Sequence, residues 1–129
     1  MGTVKNFEDL KAWQKARESA SNIYALTRTS KFSRDFGLRD QIQRAAGSVM
    51  HNIAEGFEAG YDPEFVRYLR IARRSAGEVQ SQLYLALDAG YITNEELKQA
   101  YELMVEAKRL INGMITYLAK SSKTTRLVD

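Results

Sequence analysis

The stretch Leu38–Phe57, reading LRDQIQRAAGSVMHNIAEGF, decides how this chain folds. Leu38, Ile42, Ala45, Val49 and Ile53 step by four or three residues, so they share one face of a helix. Beside that apolar seam runs a polar row of Gln41, Ser48, Asn52 and Glu55, within about a quarter turn of it. A polar row so close to a core is either a buried hydrogen-bonded network or a contact surface. The short polar arms of these residues favour a structural network, shared with Ser75, Glu78 and Gln82 of the following helix. Gly47, flanked by Ala45 and Ala46, reads as a point where two helices approach closely.

Three further helices cover this one. Upstream, Phe7, Leu10, Trp13, Ala16, Ala20, Ile23 and Thr27 keep helical spacing, which predicts a helix over 7–29 capped by Asn6. Ser33 is the expected cap of the second helix, over 34–57, and Gly56 and Gly60 its stop. Asp62-Pro63 starts a third helix, with Asp62 as cap, over 63–89. Its residues Phe65, Leu69, Ala72, Ala76, Val79, Leu83 and Ala86 alternate steps of four and three, a coiled-coil-like seam. Gly90 suits a left-handed C-terminal stop. Thr93 and Glu96 form a capping box that opens a fourth helix over 94–119. The remainder, 121–129, has no period and is expected to be a disordered tail.

Short connections between amphipathic helices join antiparallel neighbours. The expected fold is all-α: an antiparallel, up-and-down four-helix bundle in a single domain, residues 1–120. Ile71 and Leu85 on the third helix, with Val105, Leu110 and Tyr117 on the fourth, lie off their seams. Such an apolar excess, in a chain with seven tyrosines, predicts a homo-oligomer.

Composition narrows the chemistry. The 129 residues include no cysteine, which removes disulfides, thiolate metal sites and cysteine nucleophiles. No apolar run has membrane-spanning length and no signal-peptide pattern opens the chain, so a cytoplasmic location is expected. The single histidine, His51, faces away from its seam, and no di-iron pattern exists around it. Phosphate-loop and nucleophile-elbow sequences are absent. The chain is therefore expected not to be an enzyme and to need no cofactor or metal.

The charge pattern points elsewhere. Net charge is +3, and eleven of nineteen basic residues are arginines, the better fork for phosphate. Arg67, Arg70 and Arg74 fall within an arc of about 60° opposite the third helix's seam, with Arg73 flanking them. Lys11 and Lys15 on the first helix and Arg44 on the second extend the candidate nucleic-acid-binding set.

The run Gln41-Ile42-Gln43-Arg44-Ala45-Ala46-Gly47-Ser48-Val49, followed by Asn52-Ile53-Ala54-Glu55-Gly56, resembles the signature of the four-helix-bundle proteins encoded in intervening sequences of bacterial 23S ribosomal RNA. Phe7, Asp9, Leu10, Trp13 and Ala16 match the same pattern. So do Phe65, Leu69, Ala72, Ser75, Glu78 and Gly90-Tyr91-Ile92. Ser33 and Arg74 depart from it, standing where a proline and a small residue are usual. The family includes the Avd accessory proteins of diversity-generating retroelements. The resemblance implies a ring-like homopentamer with a basic surface and no catalytic residues. For the Avd branch it implies binding to nucleic acid and to a reverse transcriptase. Two functional expectations follow: an RNA-binding or other nucleic-acid-binding oligomer, or a protein-interaction scaffold such as a reverse-transcriptase partner.

Overall fold

Alternating four- and three-residue apolar steps give each long helix one continuous buried stripe, and these stripes set the architecture. The structure, a computed structural model, describes residues 4–128, with side chains described for 4–120; the expectation for 121–129 falls outside the latter. A 3₁₀ turn, Phe7–Asp9, precedes five α-helices: α1 (Lys11–Thr27), α2 (Ser30–Arg34), α3 (Phe36–Glu58), α4 (Asp62–Asp88) and α5 (Asn94–Val128). No strand occurs among the described residues. The four long helices pack cyclically: α1 on α3, α3 on α4, α4 on α5 and α5 on α1. Cross-helix pairs run in opposite directions along the chain. Gly56 meets Phe65 and Ser48 meets Ser75, so α3 and α4 are antiparallel. Tyr84 meets Tyr101 and Arg73 meets Asn112, so α4 and α5 are antiparallel too.

The seam residues fill the core. Ile42, Val49, Ile53, Leu69, Ala72, Ala76, Val79 and Leu83 are wholly buried, as are Ile23, Met104 and Ile111 from the flanking helices. Burying one such aliphatic side chain contributes about 1.5–3 kcal/mol. One polar core residue, Thr27, is satisfied twice. Its hydroxyl donates to the Tyr24 carbonyl at 2.9 Å and accepts from Gln43 Nε2 on α3 at 2.9 Å.

Several ends differ from the sequence expectation. The first helix breaks at Leu10, whose ψ of 126° is extended, and Asn6 makes no side-chain cap. The break lets Phe7 turn back edge-on against Trp13, 5.2 Å between centroids, while Leu10 is buried. Asp35, not Ser33, caps α3: its Oδ1 accepts from the Leu38 N–H at 3.1 Å. Ser33 lies inside α2, a helix in place of the expected plain connection. That short helix drives Phe32 into the end of the bundle, fully buried and stacked on Tyr91 at 5.2 Å. The Tyr91 hydroxyl donates to Asp35 Oδ2 at 2.9 Å, and this bond raises the tyrosine's pKa above its ordinary value. Asp62 is the first residue of α4, and Tyr61 occupies the cap position. The Thr93–Glu96 capping box closes as expected, Glu96 N–H to Thr93 Oγ1 at 3.1 Å and Thr93 N–H to Glu96 Oε1 at 2.9 Å. Gly90 ends α4 with φ of 81°.

The close helix approach lies at Gly56, not Gly47. A Cβ on Gly56 would stand 2.8 Å from both Phe65 Cδ1 and Tyr68 Cβ, and 3.3 Å from the Phe65 carbonyl oxygen. A Cβ on Gly47 would touch only the His51 ring of its own helix, at 3.4 Å. The two glycines should therefore respond oppositely to alanine. Gly56→Ala forces α3 and α4 apart and is expected to destabilise by about 1–3 kcal/mol. Gly47→Ala gains helix propensity worth up to about 1 kcal/mol. Urea denaturation midpoints of the two variants check this contrast.

Candidate nucleic-acid interface

The arginines of α4 project because the seam leaves them no place in the core. Arg67, Arg70, Arg73 and Arg74 line a groove of about 710 Å³ between α4 and α5, with Ile71, Gly77 and Lys108. The lack of a side chain at Gly77 keeps the groove open. Ile71, expected to point outward, is half-buried as part of the groove wall.

The five cations differ in how they are held. Glu64, one turn earlier on α4, pairs with Arg67 and raises its pKa above the ordinary value by hydrogen bond and charge. The Arg67 guanidinium also lies 4.6 Å from the Tyr68 ring centroid. Arg73 Nη1 donates to Asn112 Oδ1 on α5 at 2.9 Å, and Lys108 Nζ donates to Gln80 Oε1 at 3.1 Å. Both of those acceptors are neutral, so the bonds orient the cations without cancelling their charge. Arg70 and Arg74 are exposed and have no carboxylate or hydrogen-bond partner among the described residues. The groove thus sets five cations against one bonded carboxylate.

The other candidate cations lie elsewhere. Lys15 pairs with Glu18 at 2.8 Å, and Lys11 and Lys15 border a groove between α1 and α5 that also contains Glu106 and Arg109. Arg109 pairs with Glu106 and lowers that carboxyl's pKa. Because α1 is diagonal to α4, neither lysine joins the arginine groove. Arg44 lies on the opposite flank of α4, in a groove between α3 and α4. Sequence reasoning missed Lys108 and Asn112, whose partners on α4 are set only by the packing of α5.

The polar row divides in the structure. Ser48 Oγ and Ser75 Oγ are 2.9 Å apart, and Asn52 Nδ2 donates to the Ser48 hydroxyl at 2.9 Å and the Ser48 carbonyl at 2.8 Å. Ser75 is buried, while Ser48 and Asn52 are half-buried. Gln41, Glu55 and Glu78 are exposed and make no side-chain hydrogen bond among the described residues. The expected seven-residue network therefore contracts to three residues joining α3 and α4. The helix rotates Gln41, Glu55 and Glu78 toward solvent, where water replaces a protein partner. No group of three or more His, Asp or Glu among the described residues could hold a metal ion. No described helix is long and apolar enough to cross a membrane.

Fold and groove define the class: an all-helical bundle with a cationic channel along one helix pair. The family model described as "23S rRNA-intervening sequence protein" matches residues 8–113, and the chain belongs to that family. A crystal structure of a Bacteroides thetaiotaomicron protein of unknown function, from the S23 ribosomal protein family, is similar to it. The two share 27% identity at a TM-score of 0.75, over 81% of this chain and 95% of that one. Comparison with curated proteins finds no match.

The contracted network has a direct stability test. Ser75→Ala removes a buried partner of Ser48 and is expected to cost about 1 kcal/mol. Gln41→Ala, at an exposed site, is expected to stay within about 0.5 kcal/mol of the unaltered protein. Thermal or denaturant unfolding of both variants reads the difference.

Proposed function

We propose that the protein is a non-enzymatic nucleic-acid-binding homo-oligomer, with RNA as its ligand and the α4–α5 groove as its contact. The observation that carries this reading is the placement of Arg70 and Arg74, exposed and uncompensated, between cations fixed by Glu64, Asn112 and Gln80. Arginines fixed in orientation yet still charged suit phosphate oxygens, which position a nucleic acid without reading its sequence. The family's description, naming an intervening sequence of ribosomal RNA, is consistent with an RNA partner.

Salt titration tests the groove. Each phosphate contact contributes about −0.7 to −0.9 to the slope of log affinity against log salt. The double variant Arg70→Glu, Arg74→Glu is expected to weaken RNA binding and flatten that slope by about 1.5. An unchanged slope would refer these arginines to a protein contact, such as a reverse transcriptase, which a nuclease-resistant pull-down would detect.

The oligomer reading rests on apolar residues the bundle leaves outside. Tyr84, Leu85 and Val105 are 51%, 58% and 47% exposed, and Tyr84 packs edge-on against Tyr101 at 5.8 Å. This patch lies on α4 and α5 toward their connection, beyond the end of the arginine groove. A ring-like homopentamer would bury it and repeat the groove around the ring, so that weak contacts reinforce one another. Light scattering is expected to give an oligomeric mass for the unaltered protein and a lower one for Val105→Glu. A monomer at micromolar concentration would contradict the assembly.

A further inference from the structure

The groove between α3 and α4 has a different chemistry from the arginine channel. Its volume is about 420 Å³, and its floor is the small side chain of Ala45. The antiparallel register set by Ser48 and Ser75 places Glu78 opposite Ala45, one turn further along. Gln82 follows another turn on, with Gln41 opposite. Arg44 borders the same groove.

Its hydrogen-bonding capacity is unfilled at several points. Glu78 and Arg44 are exposed and unpaired among the described residues. The Gln82 Oε1 atom is buried with no hydrogen-bond partner among the described residues. Such an orphan acceptor is destabilising unless something donates to it. The Ser48–Ser75 bond uses only one of two hydroxyl protons, and Asn52 donates into that pair rather than accepting from it. One hydroxyl proton is therefore left for an occupant.

We propose that this groove receives an unpaired guanine base, from the same RNA whose phosphates lie along the arginine channel. The proposal rests on the nucleic-acid reading above and deepens it. Guanine alone among the four bases offers two adjacent N–H donors on one edge and two adjacent acceptors on another. The donors N1–H and N2–H suit a carboxylate, here Glu78. The acceptors O6 and N7 suit an arginine fork, here Arg44. Adenine and cytosine present an exocyclic amine with no ring N–H beside it. Uracil flanks its single N–H with two carbonyls that a carboxylate repels. Single-stranded RNA is read in this way, with splayed bases bonded along their edges. Arg74, on the exposed ridge of α4 one turn before Glu78, lies between the two grooves, so one strand can reach both.

The test uses twelve-nucleotide oligouridylates carrying one central guanosine, adenosine, cytidine or uridine, with the full-length protein at low salt. The guanosine strand is expected to bind about tenfold more tightly than the others. Glu78→Gln should reduce that preference to less than about twofold, while oligouridylate, facing one carboxylate fewer, binds no more weakly than before; circular dichroism confirms the fold. The double variant Arg70→Glu, Arg74→Glu should weaken all four strands and leave their ratio intact. Equal affinities for the four strands, or a guanosine preference that survives Glu78→Gln, would overturn the base site while leaving RNA binding in place. Failure of every strand to bind would overturn both readings.

Discussion

At Gly56 the backbone of α3 meets α4 with no room for a single carbon atom, since Phe65 and Tyr68 already occupy the space a Cβ would take. The contact sits one turn from the connection between the two helices, so it fixes both their separation and their register. Eight residues up α3, that register brings Ser48 opposite Ser75 and lets two hydroxyls and one carboxamide hydrogen-bond to one another near the core. It also lets Ile53, Val49, Leu69 and Ala72 reach full burial. A wider crossing would break the hydroxyl pair and open voids among close-packed side chains.

The same constraint shapes the surface. α4 is packed on two sides, by α3 and by α5, and bounds a groove with each. On the α5 side the groove is cationic: neutral acceptors orient Arg73 and Lys108 without cancelling their charge, and one carboxylate, Glu64, pairs with Arg67. On the α3 side it is mixed, with one arginine, one carboxylate and a carboxamide oxygen that lacks a donor. The exposed groups of both grooves sit in water, where salt screens them within about 8 Å at physiological strength. Contacts of this kind are individually weak.

Much of the fold is legible from local spacing. The seams of α3 and α4, the capping box at Thr93 and the left-handed Gly90 each depend on residues within about four positions of one another. The helix geometry alone relates such residues. The family signature over Gln41–Gly56 is likewise a local pattern, and the family model matches over 8–113. What local spacing misplaced was the break at Leu10, where Phe7 gains more by packing on Trp13 than by extending a helix. It also misplaced the cap of α3, because Asp35 is held at once by the Leu38 amide and by Tyr91 from the far end of α4.

The sequence by itself determined which residues face inward, because burial of an apolar stripe repeats with the helical period. It also determined that arginines crowd the outer side of α4. Only the tertiary structure decided which glycine is indispensable, Gly56 and not Gly47, since the answer depends on what the neighbouring helix presents. It alone separated Lys11 and Lys15 from the arginines, because diagonal helices in a bundle do not share a surface. And it alone divided the polar row beside the α3 seam. Ser48 and Asn52 turn toward α4 and lose water, whereas Gln41 and Glu55 stay hydrated, a difference set by the rotation of one helix against another.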